Sequence, residues 1–337
     1  MDRATFERQK AFAGEKKPSM QRRCVDHDYT ERRMYMVTMV TEERKPLFGK
    51  VAGRSEAVEP SADVPHIELS PLGKAVEQIW QTIGSHHPEV KVVGLQMMPD
   101  HLHAILFVTE KMERPLGKVL LGVKQACNQA FRDVMPVAFV AVAQQHAGER
   151  RENGLLFAKG FNDQILLREG QLERWLNYLK DNPRRLLMKR ENPDLFRVQR
   201  GLEYAGQSFS AIGNRFLLER PKVQVQCSRS ISETDLQAKQ AEYLRAARQG
   251  AVLVSPAISQ GEKAIMRAAF EEGLSLIYLQ ENGFTDLAKP GGKRIDACAS
   301  GQLLILAPWE HHNQRIAIKR GQCLQLNEMA KMICEGR

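Results

Sequence analysis

The chain has six cysteines, Cys24, Cys127, Cys227, Cys298, Cys323 and Cys334, and no two of them form a Cys-x-x-C pair. In a chain too long to need staples, scattered thiols are expected to be reduced, as in the cytoplasm. Long apolar runs are missing as well. Residues 104–108 and 303–307 are among the longest, far short of the ~18 residues a membrane span requires, so no span is expected. The N-terminus carries Lys16, Lys17, Arg22 and Arg23 with no apolar segment behind them, which does not fit a secretory signal. There is no internal repeat, no low-complexity tract, and neither a G-x-G-x-x-G nor a G-K-[ST] phosphate fingerprint.

What is present is a globular composition, 43% hydrophobic and 26% charged, which excludes a mainly disordered, collagenous or coiled-coil chain. At 337 residues two cores are expected, with domains of ~150 residues each. Lysine and arginine exceed the acids by nine charges, which favours polyanionic partners without naming one.

Residues 1–30 are polar and without period and read as a basic arm. Residues 34–41 alternate like a strand, and Ser70-Pro71 caps a helix whose apolar face is Ala75, Ile79, Trp80 and Ile83. Residues 91–98 and 101–109 form a hairpin about the turn Pro99-Asp100, and residues 115–134 form a second helix. Strands are expected at 137–142 and 155–167, the latter broken near Gly160. A helix follows at 170–181, on the stripe Leu172, Trp175, Leu176, Leu179. This order predicts an α+β ferredoxin-like domain over 31–183, an antiparallel sheet with helices on one face. Residues 184–223, rich in arginine, read as a basic connector, and residues 224–337 alternate helix and strand like a small parallel α/β domain.

His101 and His103 stand two apart on a predicted strand, so both imidazoles share one face. Such a pair can hold a divalent metal with a third ligand from elsewhere, or can simply form a half-exposed strand face. His86-His87 and His311-His312 lie in polar surroundings and read as solvated. Tyr178 and Asn182 lie one turn apart at the edge of their helix's apolar stripe, where both polar tips can reach one cleft. The alternative is an amphipathic boundary residue and a helix terminator ahead of Pro183.

Taken in order, Met97-Met98-Pro99-Asp100-His101-Leu102-His103 and Tyr178-Leu179-Lys180-Asp181-Asn182-Pro183 resemble the two signatures of the HUH single-tyrosine transposases, in the branch of REP-associated tyrosine transposases. The resemblance covers residues 30–200. Tyr35-Met36-Val37-Thr38, Arg44-Lys45-Pro46-Leu47-Phe48-Gly49, Leu116-Gly117-Lys118-Val119 and residues 161–166 support it. Asp100 stands where the family usually has Asn, and Gln164 where many members have His or Arg.

The resemblance implies an HUH domain in which His101, His103 and Asn182 hold a divalent metal, Mg²⁺ or Mn²⁺, and Tyr178 is the nucleophile. It implies cleavage and rejoining of single-stranded or hairpin DNA through a 5′-phosphotyrosine. A phenol is a better leaving group than a sugar hydroxyl, so that linkage stays reactive toward a later 3′-hydroxyl. Whether one chain or a homodimer completes the site stays open. Lys118, Lys124 and Arg132 on the second helix, with Arg184, Arg185, Lys189 and Arg190 of the connector, are candidates to track the DNA backbone. The rival reading is a domesticated, non-catalytic DNA-binding or regulatory protein that keeps the motifs.

In the C-terminal part, residues 253–262 run strand, small-residue loop, helix. Ser255, Ser259 and Gly261 are candidates to present a phosphate or nucleotide loop. The segment is distantly similar to the Rossmann-like domains of the DNA-processing protein DprA and of lysine-decarboxylase-like nucleotide hydrolases.

Overall fold

The computed structural model describes residues 27–145, 155–286, 288–314 and 317–336. The basic arm expected over 1–30 lies, up to residue 26, outside the described residues. The chain divides into two compact units, the first running through Leu187 and the second beginning at Met188.

The first unit is built on a four-stranded antiparallel sheet in the order β4-β5-β1-β6, with β1 at Arg33–Val40, β4 at Val90–Met98, β5 at His101–Val108 and β6 at Asn162–Ile165. A separate hairpin of β2 (Gly49–Ala52) and β3 (His66–Leu69) precedes helices α1 (Pro71–Gln81) and α2 (Ile83–His86). Ser70 caps α1 by accepting from the Gly73 N–H at 3.0 Å, and Pro71 occupies the first turn, where its missing donor costs nothing.

Period two sorts the central strands. Tyr35, Val37 and Met39 of β1 and Leu102, Ala104 and Leu106 of β5 pack with Leu72, Val76 and Trp80 of α1 and Leu116, Val119 and Leu120 of α3 (Leu116–Val134). The alternate positions, Met36 and Ile105, pack instead with Trp175 and Leu179 of α5 (Gln171–Glu191). Helices therefore cover both faces of the sheet, not one face as expected. The reason is legible in β5 itself, which is apolar on both sides and has to be buried on both. Gly94 of β4 lets α5 come close, since a Cβ there would stand 3.1 Å from the Leu176 side chain.

Other expectations are corrected. Residues 137–142 are helical, within α4 (Pro136–Gln145). Pro136 sits in its first turn, and Val137, 84% exposed, and Val140 have no strand to pair with. The long strand at 155–167 reduces to β6 and a single bridge between Thr41 and Phe157. Pro183 does not end its helix: α5 runs eight residues further, to Glu191, with one helical N–H missing at Pro183. The basic connector does not exist as such. Residues 184–223 hold the end of α5, α6 (Pro193–Phe196), strands β7 (Gln199–Tyr204) and β8 (Gln207–Gly213), a 3-10 turn at Arg215–Glu219 and the start of β9 (Lys222–Gln224). Their alternating apolar residues, such as Phe209 and Ala211, are buried in a sheet, and arginine content concealed that pattern.

The second unit holds a six-stranded sheet, ordered β7-β8-β12-β11-β10-β9. β9, β10 (Val252–Ser255), β11 (Leu276–Leu279) and β12 (Leu303–Ala307) are parallel, and the β7–β8 hairpin joins β12 antiparallel. Helices α7 (Glu233–Arg248), α8 (Gln260–Glu271) and α9 (Arg294–Ala299) share a core with Leu253, Leu276 and Leu303. Helix α10 (Arg320–Glu335) packs on the opposite face through Leu326, Ala330 and Ile333, against Val252, Val254 and Ile277. Among the described residues no helix is long and apolar enough to cross a membrane.

Candidate active site

The face of the first sheet that α5 covers carries chemistry at one end and apolar packing at the other. His101 opens β5 directly after the Pro99-Asp100 turn, and His103 and Ile105 follow on the same face. The antiparallel register sets Thr38 opposite His103 and Met36 opposite Ile105. Trp175 and Leu179 anchor α5 on Met36 and Ile105, which brings Tyr178 onto the histidines. The Tyr178 and His103 ring centroids are 5.5 Å apart, edge to face, and those of His103 and His101 are 5.0 Å apart.

Each imidazole is held through Nδ1. His101 Nδ1 lies 2.6 Å from the Asp100 carboxylate and His103 Nδ1 lies 2.8 Å from the Thr38 hydroxyl. No hydrogen bond reaches Nε2 of either ring among the described residues, so both rings are oriented with one nitrogen free. That is the arrangement in which imidazoles serve as metal ligands. Burial drives the His103 pKa down to about 3, aided by the charges of His101 and Arg44, so its ring is neutral near pH 7. Burial pushes Asp100 upward, but the hydrogen bonds and charges of His101 and Arg44 outweigh it and hold the carboxyl at about 2. Arg44 Nη1 stands 3.0 Å from Asp100.

Asn182, 8% exposed, lies one turn beyond Tyr178 on α5, and its amide nitrogen is buried without a hydrogen-bond partner. Such an orphan is costly in an ordinary helix. Rotating the amide by half a turn exchanges Nδ2 for Oδ1 with no change of shape, which offers an oxygen in the same place. Among the described residues no three His, Cys, Asp or Glu side chains cluster for metal binding, so any protein ligand beyond the two histidines has to be of another kind.

The cationic candidates divide. Arg184 and Arg185 both donate to Asp181, at 2.6 and 2.5 Å, and the Arg185 guanidinium lies 5.6 Å from the centre of the Tyr178 ring. Burial raises the Asp181 pKa and these two arginines more than reverse it, so the carboxyl stays ionised. Arg132 is exposed and stacks on Phe139, Arg190 is exposed, and Lys189 is half-buried. Lys118 lines an open cavity of about 480 Å³ that also contains Glu89, Glu110 and Glu113. Lys124 is not a DNA contact. It is 2% exposed, and its ammonium donates to the carbonyls of Ala158 and Gly160 at 3.2 and 2.6 Å, pinning the bend that breaks the expected strand.

The C-terminal loop is corrected too. Ser255 is buried and donates to the Val225 carbonyl, Ser259 caps α8, and Gly261 packs against Cys227. The loop's N–H groups are already taken: Ala257 donates to Ser255 Oγ at 3.0 Å, and the buried Glu262 side chain accepts from Ile258 at 2.7 Å and Ser259 at 3.1 Å, and also from Cys227 at 3.3 Å. The fold's own Glu262 side chain fills the place where a phosphate was expected.

Sequence reasoning missed Thr38, Arg44, Asp100, Asp181 and the position of Arg185 as parts of this site. Asp181 was within reach, since an acid three and four residues ahead of two arginines on a helix makes such pairs. Thr38 needed the strand register.

No family model matches the chain. An uncharacterised protein of Haemophilus influenzae is 25% identical over 107 residues, which are 32% of this chain and 52% of that protein; the chain thus spans about half the length of the curated relative it matches. Solved structures with distant similarity include a candidate transposase of Deinococcus radiodurans (15% identity, 46% of this chain and 94% of that one, TM-score 0.28). A REP-associated tyrosine transposase bound to a REP hairpin is 11% identical over 47% of this chain and 70% of that one, with a TM-score of 0.31. DNA-processing protein A of Helicobacter pylori, described for its single-stranded DNA binding, is 18% identical over 41% of this chain and 65% of that one, also at 0.31.

Proposed function

We propose that the first unit is an HUH-type, ferredoxin-like DNA strand transferase that cuts and rejoins single-stranded or hairpin DNA through Tyr178. The observation that carries this reading is the stack of Tyr178 on His103 and of His103 on His101. It brings the Tyr178 ring beside two imidazoles whose Nε2 atoms have no hydrogen bond among the described residues. In the proposed step the Tyr178 hydroxyl gives up its proton as its oxygen bonds to phosphorus, the bond from phosphorus to the 3′-oxygen breaks, and that oxygen takes up a proton, so none is gained or lost overall. A later 3′-hydroxyl reverses the exchange, so no external energy source is needed.

His101, His103 and the orphaned amide of Asn182 would hold Mg²⁺ or Mn²⁺, whose contribution is positive charge against the phosphate in the transition state. Thr38 and Asp100 fix the imidazoles. Arg185, held by Asp181, adds a fixed positive charge beside the tyrosine ring. Placing nucleophile and amide on one helix fixes their spacing better than a loop could.

The test is incubation with a labelled hairpin oligonucleotide and Mn²⁺, followed by denaturing electrophoresis. A covalent adduct in the native protein that disappears in Tyr178→Phe supports the reading. Tight binding with no adduct replaces it with the non-catalytic DNA-binding protein.

A further inference from the structure

The second unit has a cavity of about 550 Å³ at the carboxyl ends of parallel strands β10 and β11, where open α/β sheets receive ligands. Four cations line it: Lys263 and Arg267 of α8, Lys293 just before α9, and Arg294 in its first turn. All four are exposed, and none has a carboxylate partner among the described residues. Lys263 and Arg294 stand in the first turns of their helices, the ends at which positive charge is disfavoured. Glu281 is the one carboxylate in the lining, and His312 engages it at 2.8 Å. The cavity therefore concentrates four cations that form no ion pair among the described residues.

The other walls are of a different kind. The Arg294 guanidinium lies 5.4 Å from the centre of the ring of Tyr278, near the end of β11, and Pro256, Ile258 and Leu326 add apolar surface. Burial raises the Tyr278 hydroxyl's pKa, and the charges of Arg294 and Arg267, which line the same cavity, act against that. Ala257, in the loop lining the cavity, holds φ at +49°, a left-handed conformation that a residue with a side chain adopts at a cost and that gathers at ligand sites.

We propose that this cavity binds a free nucleoside di- or triphosphate, its phosphates on the four cations and its base against Tyr278 and the apolar wall. The volume lies within the ~300–1,000 Å³ of small-molecule sites. A DNA strand brings about one charge per nucleotide, so four cations around a space of this size exceed what a strand supplies. Two or three linked phosphates bring roughly three or four charges. The Glu262-filled loop explains why side chains rather than backbone N–H groups would hold them. This inference stands apart from the tyrosine chemistry of the first unit.

The test is calorimetric titration of the full chain with ADP and ATP in EDTA, with inorganic phosphate and an oligothymidine as competitors. Saturable binding at one site is expected, weakened about tenfold or more in Arg267→Ala and in Arg294→Ala, and unchanged in Lys331→Ala, an exposed cation on α10. Melting curves identify any variant that fails to fold, in which case Lys263→Ala and Lys293→Ala replace it. No binding at about 1 mM nucleotide overturns the proposal, as does a nucleotide that binds no better than phosphate. An oligothymidine that binds tighter than ADP and loses affinity in the same variants overturns it as well, in favour of a strand.

Discussion

The turn from β4 to β5 and the loop from β10 to α8 carry similar promise in the sequence, each a short connection holding or followed by polar residues. They end differently. After the first, Thr38 and Asp100 bind one nitrogen of each imidazole and leave the other free, and Asn182 keeps an unpartnered amide nearby in sequence from Tyr178. In the second, Ser255, Ser259 and the loop N–H groups are all matched to partners inside the fold, Glu262 foremost. The difference teaches that residue types make a site only where their polar atoms have no internal partner. Satisfied atoms stabilise, and unsatisfied ones are available to a ligand.

That contrast can be broken most directly at His103. His103→Ala is expected to reduce adduct formation on the order of 10³-fold, about 4 kcal/mol, measured as the initial rate with Mn²⁺. Full activity would move the site elsewhere. Glu262→Gln should act only on stability, lowering it by about 3 kcal/mol because three N–H groups lose a charged acceptor. The melting temperature of the second unit would fall while adduct formation is kept. An unchanged melting temperature would mean that the loop's donors are free after all.

Lys124→Met leaves two carbonyls without their donor and should cost about 2 kcal/mol, with no change in the salt dependence of DNA binding. A phosphate contact would instead lower the salt slope by about one. Asn182→Ala sharpens the first half of the comparison: cleavage should fall about tenfold, partly rescued by high Mn²⁺, while the melting temperature barely moves. Normal cleavage at limiting metal would leave the residue a helical one only.

The remaining way to test the comparison is pH. His103 has a folded pKa of about 3 against an ordinary 6.5, so its neutral form favours the fold. That stability is present above pH 6.5 and is lost progressively as pH falls toward 3. Asp100, at about 2 against 3.8, contributes stability above pH 3.8 that is lost on the way down to 2. Chemical denaturation from pH 7 to 4 should therefore show a slope that flattens in His103→Gln and persists in Asp100→Asn.

Much of this arrangement was legible. Period two put His101 and His103 on one face, the stripe of Leu172, Trp175 and Leu179 gave α5, and the cap at Ser70 marked a helix start. What misled was local. Pro183 read as a stop although α5 continues through it, the valines of 137–142 read as a strand without a partner strand, and the arginines of 184–200 masked a buried hairpin. Lys124 was indistinguishable from a solvated lysine until the Gly160 bend came to rest on it.

The sequence by itself determined which residues are chemically capable and which of them share a strand face or a helix turn, because those follow from the fixed periods of two and 3.6 residues. Only the tertiary structure decided which helix covers which face, that Thr38 stands opposite His103, and that Glu262 fills its own loop. Those facts rest on contacts between segments far apart in the chain, where register and burial, rather than any local preference, settle which polar atoms are satisfied and which remain open.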